Sequence, residues 1–473
     1  MRATAGAVVV GGVGLSAGGT VAAEDGGDRF IVVGTPNVDS RIEKEGFEIV
    51  QQLADGEVLI VGTARGQQDN LEAVNGVQHA VPVRKVEYSD PPVEGEVATE
   101  SADEEAEDQF DEPLFWEQQW DKRLLDVSEA HETATGDGVR VAVIDTGIEP
   151  HLDLDPNLNE ELSVRFKNGE KVREGDPHDA RPGGHGTQVA GIIASSGLGT
   201  VGVAPDAELV SINLFQEDLS GTALWTVTDL LVSMEYAREI EADVINMSLL
   251  SLAAPQDSGS RDETEIRGLR AALERLTNVL AREGIVMTAS AGNFGENIQT
   301  GGEWWFPGGQ NGVLNVSATG PNDKLAYYSN YGSRWIDIAA PGGGYETVEK
   351  TFCTQDGLIL GCEDVDDDPP VPVDDCECEP AELPANFNLI LSTSPMEPPP
   401  GSSAVWGRFS GTSAAAPQVA GVAALVKEAN SDLNARGVEQ VLKRSAEFVR
   451  GQGDPEFGAG RVNAADAVDL ATK

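Results

Sequence analysis

Continuous apolar runs alternate with long helical patterns across the C-terminal three quarters of the chain. Buried strands are predicted at VRVAVID (139–145), ADVINMSL (242–249), IVMTASAG (285–292), VLNVSATG (313–320) and WIDIAAPG (335–342), and helices at TALWTVTDLLVSMEYAREI (222–240) and RGLRAALERLTNVLAREG (267–284). Fully apolar strands separated by long helices are typical of a parallel sheet covered on both faces. The pattern therefore predicts an α/β domain at residues 114–473, with a mostly parallel central sheet in a three-layer arrangement.

A shorter and different pattern precedes this domain. Strands are predicted at RFIVVG, FEIVQQL, EVLIVGTA and VQHAVPVRKVEY, and helices at VDSRIEKEG and QQDNLEAVNG. The order β-α-β-β-α-β predicts a small α+β domain of ferredoxin-like arrangement, which we place at residues 24–88.

Two acidic segments lack apolar periodicity. Residues 89–113 are rich in carboxylates and proline, so we expect a solvated, protease-accessible linker. Residues 343–402 contain EDVDDDPPVPVDDCECE and PPP, and we interpret them as a surface insertion.

The N-terminus and the cysteines indicate export. Residues 1–23 are a small-residue stretch that ends in Val21-Ala22-Ala23, which predicts a cleaved signal peptide, with a membrane anchor as the alternative. Disulfides are favoured in an exported chain, and the candidates are Cys353, Cys362, Cys376 and Cys378. Because Cys376 and Cys378 are poorly placed to join each other, each is expected to pair back to Cys353 or Cys362. A zinc site is the alternative, but the window has no histidine and no two C-x-x-C pairs.

The net charge of the chain limits the classes of molecule that it can bind. The chain has 80 acidic and 32 basic residues, a formal charge of −48, which repels nucleic acid and anionic lipid. A hydrophobic fraction of 40% is still sufficient for a packed core. This composition favours a protein kept soluble in concentrated salt, where screening weakens self-repulsion; an ordinary acidic protein is the alternative.

Four polar residues stand where an α/β domain places its chemistry. Asp145 ends an apolar strand, at the sheet edge that carries active sites. His185 lies between glycines in GGHGTQVAGIIA, which indicates a backbone in close approach to something. Ser413 opens the small-residue helix of FSGTSAAAPQVAGVAALV, where the helix dipole favours a developing alkoxide. Asn293 follows another strand; alone, each of the four could be a cap or a turn residue.

An aspartic protease would also place Asp-Thr-Gly after an apolar strand. That class needs a second copy, and the candidate, Asp257-Ser258-Gly259, follows no apolar strand. The sequence therefore disfavours it.

Taken together, VAVIDTGI, HGTQVAG, INMSL, ASAGN and GTSAAAP resemble, in order, the motifs of the subtilisin-like serine peptidases, or subtilases. The acidic composition and export signal make the chain similar to the halolysins, secreted subtilases of salt-loving archaea. The resemblance implies a subtilisin-like fold, Ser413 as nucleophile, His185 as general base, Asp145 as its orienting acid and Asn293 as oxyanion donor. It implies that the chemistry requires no cofactor.

The resemblance also implies how substrates bind and how the enzyme matures. Ser248, Leu249, Ala291 and Gly292 would line the primary specificity pocket, and Ser220-Gly221 would pair with an extended substrate. Residues 24–88 would be a propeptide that acts as intramolecular chaperone and inhibitor, removed by cleavage within 89–113. The implied partners are protein or peptide substrates and the chain's own propeptide, for a secreted monomer.

Several positions depart from the family pattern. Gln188 and Gln418 replace histidines that have no catalytic role. Ala414 replaces the usual methionine after the nucleophile, which predicts resistance to peroxide. Leu250-Ser251 replaces a glycine pair beside the pocket, and Trp305 lies near its floor, which predicts small or medium P1 side chains.

Structural calcium is a further implication of the family. The loop ASSGLGTVGVAP after His185 is short and lacks the asparagine that such a site uses, so a site there is doubtful. The acidic run from Glu363 to Asp375 is a second candidate, and a salt-solvated loop is its alternative.

Overall fold

A computed structural model describes most of the two predicted domains. The described residues are 28–87, 99–102, 112–175, 178, 184–217, 223–249, 251–253, 263–299, 304–354, 357–358, 383, 387–396, 403–447 and 454–473. The predicted signal peptide (1–23), Ser220, Gly221 and the acidic run 363–375 lie outside them, as do Cys362, Cys376, Cys378 and the side chain of Cys353.

Residues 28–87 form a small domain with the element order β-α-β-β-α-β and one further strand. Its elements are β1 (Asp28–Gly34), α1 (Val38–Lys44), β2 (Glu48–Leu53), β3 (Val58–Thr63), α2 (Gln68–Glu72), β4 (Val77–Pro82) and β5 (Lys85–Glu87). The first four strands form an antiparallel sheet in the order β2-β3-β1-β4. Alternate residues of β1 face opposite ways: Phe30 and Val32 pack in the domain's own core, and Ile31 and Val33 pack against the large domain.

The other described residues form the large domain. Its elements are β6 (Thr99–Ala102), α3 (Trp120–Leu124), α4 (Val127–Ala130), β7 (Arg140–Asp145), β8 (Val164–Lys167), β9 (Glu170–Glu174), α5 (His185–Ala194), β10 (Glu208–Asn213), β11 (Gln216–Glu217), β12 (Ala223–Thr226), α6 (Val227–Glu239), β13 (Val244–Met247), β14 (Ser251–Ala253), α7 (Glu263–Arg282), β15 (Val286–Ser290), β16 (Trp304–Phe306), β17 (Val313–Thr319), β18 (Ile338–Pro341), α8 (Val348–Thr351), β19 (Cys353–Thr354), β20 (Gly357–Leu358), β21 (Ile390–Ser394), β22 (Ala404–Phe409), α9 (Thr412–Ala429), α10 (Ala435–Ser445), α11 (Asp454–Phe457) and α12 (Ala464–Ala471).

An eight-stranded sheet in the order β18-β17-β15-β13-β7-β10-β8-β9 organises the large domain. All neighbours pair in parallel except β8 and β9, which form an antiparallel hairpin at one edge. Helices α5 and α9 pack on one face, and α6 and α7 on the other. The prediction of a mostly parallel sheet covered on both faces is confirmed.

The predicted helix over 222–240 begins too early. Residues Ala223–Thr226 form β12, which pairs antiparallel with β5 of the small domain, and the helix starts only at Val227. Thr226 caps that helix in a capping box with Asp229, in which each side chain accepts the other residue's backbone N–H. Trp225 of this strand is fully buried against Phe306, and the strand itself pairs with a segment about 140 residues away in sequence.

The two acidic segments contain more regular structure than their composition predicts. Within 89–113, β6 pairs antiparallel with β22, since backbone pairing needs no apolar side chains. Within 343–402, Tyr345 is fully buried and β21 is buried along its whole length, so these parts belong to the domain rather than to a surface insertion. Strand β21 could not be recognised from its pattern, because three of its five residues (ILSTS) are serine or threonine.

Among the described residues, every helix is too short or too polar to cross a membrane.

Candidate active site

Asp145 and His185 meet at the carboxyl edge of the central sheet. Asp145 is the last residue of β7 and His185 the first of α5, and their Oδ1 and Nδ1 atoms lie 2.7 Å apart. Both side chains are buried, at 1% and 4% exposure. Because a carboxylate can only accept, Nδ1 carries the imidazole proton and Nε2 is the basic nitrogen.

Glycines on both sides of His185 permit two close approaches. A β-carbon on Gly186 would collide with the carbonyl oxygen of Gly147, just after β7. A β-carbon on Gly184 would collide with the ring of Pro395, and Gly184 also has a positive φ of 62°. The expectation that this backbone approaches its surroundings closely is confirmed, and the approach fixes His185 against the strand that carries Asp145.

Ser413 is the second residue of α9, at a helix end where backbone N–H groups have no acceptor within the helix. Helix α9 packs against α5 along small apolar side chains. Both helices thus begin beside the sheet edge, with His185 and Ser413 in their first turns. Ser413 Oγ lies 3.3 Å from the carbonyl oxygen of Ser248, and its own carbonyl accepts from Ser248 Oγ at 2.9 Å.

Asn293 is oriented by the residue before the serine. Its Oδ1 accepts the backbone N–H of Thr412 at 2.8 Å and the Thr412 hydroxyl at 2.7 Å. A β-carbon placed on Gly411 would lie 3.2 Å from Asn293 Nδ2 and 3.5 Å from the Ser413 nitrogen. Two nitrogen donors therefore lie near one point beside the serine, where a developing oxyanion needs hydrogen-bond donors.

Tyr328 is hydrogen-bonded to the segment that holds Gly411, two residues before Ser413. Its hydroxyl donates to the carbonyls of Gly342 and Gly343, and the Gly342 carbonyl accepts the N–H of Gly411. Burial raises the pKa of Tyr328 well above its usual value, so the hydroxyl remains a neutral donor.

The predicted pocket residues that the structure describes lie around the same serine. Ser248 and Leu249 follow β13, and Ala291 and Gly292 follow β15, so both pairs leave the same edge of the sheet as Asp145. The Gly292 N–H donates to the Thr412 hydroxyl at 3.0 Å, and Ser290 Oγ donates to the Leu249 carbonyl at 3.3 Å.

Trp305 is buried in β16 at 3% exposure. Its ring packs against that of Phe294, the residue after Asn293, with centroids 5.3 Å apart. Strand β16 pairs with β14, which follows the predicted wall at Ser248 and Leu249. A large aromatic side chain thus lies next to the predicted pocket.

Two threonines were missed by sequence reasoning. Thr412 orients Asn293, and Thr146 accepts the Gly186 N–H at 2.9 Å, which joins the Asp145 loop to the start of α5. Both follow or precede a candidate catalytic residue in the motifs Asp-Thr-Gly and Gly-Thr-Ser. Their position next to a candidate catalytic residue is the feature of the sequence that could have identified them. Their hydrogen-bond partners are visible only in the folded structure.

The carboxylate that lies against the loop after α5 is not available to a calcium ion. Asp153, between β7 and β8, is fully buried and accepts the backbone N–H groups of Leu198, Gly199 and Thr200 from that loop, with distances of 2.6, 3.0 and 3.0 Å. The indole of Trp406 donates to it as well, at 2.7 Å. These N–H groups occupy the carboxylate oxygens and would repel a cation there. Nowhere in the described part of the chain do three or more His, Cys, Asp or Glu residues form a group suited to a metal ion.

Comparison with known proteins assigns the family. The profile of the subtilase family, peptidase S8, matches residues 136–461, which include all the site residues described above. The chain belongs to the subtilase family and is a subtilisin-like serine endopeptidase.

Individual relatives agree with this assignment. Alkaline elastase YaB of Bacillus sp. (strain YaB) is 30% identical over 332 residues, which span 70% of this chain and 64% of that protein. Subtilisin Savinase of Lederbergia lenta is 29% identical over 348 residues, which span 73% of this chain and 96% of that protein. The crystal structure of an epidermin leader peptide processing serine protease from Staphylococcus aureus has a TM-score of 0.68 at 19% identity. That match covers 94% of this chain and 98% of the other, and it shows a shared fold.

Proposed function

We propose that this enzyme cleaves peptide bonds through Asp145, His185 and Ser413, with Asn293 in the oxyanion hole. The observation that carries the proposal is the buried 2.7 Å contact between Asp145 and His185 beside the start of the serine helix. Ser413 Oγ attacks the substrate carbonyl carbon while His185 Nε2 accepts its proton. Asp145 holds the imidazole through Nδ1 and stabilises the imidazolium.

The tetrahedral intermediate carries a negative oxygen. Asn293 Nδ2 and the Ser413 N–H would bind it, because both donors lie beside Gly411. His185 then gives its proton to the leaving amine, and a water molecule repeats the sequence to release the acid product. No step requires a metal ion or cofactor.

The primary specificity pocket would lie between Ser248-Leu249 and Ala291-Gly292. Trp305, buried next to Phe294, supports a shallow floor and a preference for small or medium P1 side chains. The edge that pairs with extended substrates would be Ser220-Gly221, immediately before β12. A peptide library in which Phe or Tyr is preferred at P1 would contradict the shallow floor.

We further propose that the small domain is a ferredoxin-like propeptide that folds and inhibits the large one. Its docking against α6 and α7 supports this function: Ile31, Val33 and other apolar residues of its sheet share one core with those helices. Parallel sheets fold slowly because their strand pairings are non-local, and a docked template would help. Strand β5 pairs with β12 and β6 with β22, so the described strands at the start of the predicted linker are held on the large domain. Maturation would occur by cleavage within 89–113.

Secretion and salt adaptation complete the proposal. Residues 1–23 would be removed on export, and the charge of −48 would suit a concentrated-salt medium, as in halolysins. N-terminal sequencing of secreted protein distinguishes this from a membrane-tethered processing peptidase, which would retain the segment. Gel filtration of the same material checks the expectation of a monomer.

Casein hydrolysis in high salt tests the catalytic assignment. The wild type should clear casein, and Ser413→Ala should reduce the rate on the order of 10⁶-fold. Ser410→Ala, in the same loop, serves as the matched control and should retain activity. Equal clearing by wild type and Ser413→Ala would remove the catalytic assignment and leave a non-catalytic scaffold as the alternative.

A further inference from the structure

The pairings of β5 and β6 with the large domain indicate a direction for a chain bound beside the proposed active site. Strand β5 pairs antiparallel with β12, with Glu87 opposite Leu224, and β6 pairs antiparallel with β22, with Thr99 opposite Gly407. Residue 87 precedes residue 99, so the N-terminal part of a chain bound in this direction lies toward β12. Its C-terminal part lies toward β22, and β22 leads through three residues to Ser413.

The β21–β22 hairpin is fastened to the helix that begins with His185. Ser392 Oγ donates to the Gln188 carbonyl and Thr393 Oγ1 to the Thr187 carbonyl, each at 2.7 Å. The end of β21 reaches the catalytic histidine itself, because Pro395 packs directly on Gly184. The hairpin therefore touches the starts of both catalytic helices, on the side toward which the C-terminal part of a bound chain would run.

An apolar side chain stands exposed at this position. Met396 follows Pro395 and is 39% exposed, one of the few large hydrophobic side chains that the described residues leave in solvent. Methionine is flexible and polarisable, so it adapts to apolar partners of different shape. Because the chain is so acidic, an exposed apolar residue next to Pro395, which contacts Gly184, is an unusual surface feature.

We propose that the hairpin end at Pro395 and Met396 binds the substrate residues that follow the scissile bond, and that Met396 selects apolar side chains there. Met396 is thus a specificity-determining residue for the leaving part of the substrate. The inference rests on the proposed function and narrows its maturation cleavage to the part of residues 89–113 that precedes β6.

Two kinds of substrate separate the effect of Met396 from effects on the rest of the active site. A peptide p-nitroanilide has no amino acid after the scissile bond, whereas internally quenched peptides can carry Leu-Leu or Lys-Lys there. Met396→Glu should lower kcat/KM about tenfold more on the Leu-Leu peptide than on the p-nitroanilide, mainly through KM, because one apolar contact is worth about that factor. On the Lys-Lys peptide the same variant should gain relative to wild type, because opposite charges attract.

Val172→Glu is the matched control. Val172 is 46% exposed on β9, the edge strand farthest from β18 in the sheet, so it adds the same charge elsewhere. It should not alter the ratio between the substrates, and Met396→Leu should restore the wild-type preference. Equal effects of Met396→Glu on all three substrates, or no effect on any, would overturn the proposal. Failure of the proposed function looks different, since wild-type protein would then cleave none of the three.

Discussion

The proposed catalytic centre and the contact with the small domain are stabilised in different ways. The centre uses few charges, all buried, and holds them with short hydrogen bonds such as that between Asp145 and His185. The domain contact combines an apolar face with ion pairs between partly exposed side chains. Among the described residues these pairs are Arg29–Glu170, Arg84–Glu265, Arg238–Asp55 and Arg275–Glu57.

The difference predicts different responses to salt. Exposed ion pairs are screened, since the Debye length falls to about 3 Å at 1 M salt, whereas buried pairs are screened much less. Apolar contacts are strengthened by kosmotropic salts. Concentrated salt should therefore leave the contact between Asp145 and His185 intact. It should weaken the ion pairs of the domain contact, which then depends more on its apolar face.

The largest expected effect is at the catalytic pair. Asp145→Asn keeps the shape of the side chain but favours the wrong imidazole tautomer, so kcat should fall about 10⁴-fold. The loss should be similar at low and high salt, as measured with a p-nitroanilide. A loss below tenfold, or one that salt abolishes, would contradict the assignment of Asp145.

The oxyanion donor should have the next largest effect. Asn293→Ala should lower kcat about 10²–10³-fold with little change in KM, because the donor acts on the transition state. Asn297→Ala, four residues on, serves as the matched control and should stay within about twofold of wild type. Equal kinetics for the two variants would exclude Asn293 from the hole.

The domain contact should respond more weakly and in a salt-dependent way. Arg275 donates to the Gly34 carbonyl and to Gln78 Oε1, each at 2.5 Å, across the contact. In a Ser413→Ala background, which keeps the chain intact, Arg275→Ala should destabilise the docked state by about 2 kcal/mol at low salt. Arg267 lies on the same helix, and its side chain is 67% exposed and pairs with Glu263 of that helix. Arg267→Ala should therefore lower the stability of the docked state by less than about 0.5 kcal/mol. Thermal melting compares them, and equal melting temperatures would contradict the account.

A pH dependence of stability is expected near the β5–β12 junction. Burial raises the pKa of Asp229 from 3.8 to about 6 in the folded protein. Because the folded protein binds this proton more tightly than the unfolded chain does, protonated Asp229 makes its full contribution to stability below about pH 4. That contribution is lost as the pH rises through 6. The melting temperature of the Ser413→Ala protein should show this fall between pH 4 and 6. Asp229→Asn should remove it, and an unchanged pH profile in that variant would contradict the assignment.

The sequence predicted the sheet well because its strands are apolar on both faces and its helices are long. It failed at β12 and β6, because both strands exist through pairing with distant segments rather than through local pattern. The residue types at Asp145 and His185 predict a catalytic pair, and the structure places the two side chains in contact. The supporting bonds of Thr412 and the docking of Pro395 on Gly184 depend on three-dimensional proximity, so they could not be predicted from residue order.

The most direct measurement is covalent labelling of the nucleophile. Mature protein treated with a sulfonyl fluoride should gain one adduct per chain by intact mass, and peptide mapping should locate it on Ser413. His185→Ala should abolish the labelling, because the serine would lose its general base. An adduct on another residue, or labelling that persists without the histidine, would contradict the catalytic centre described above.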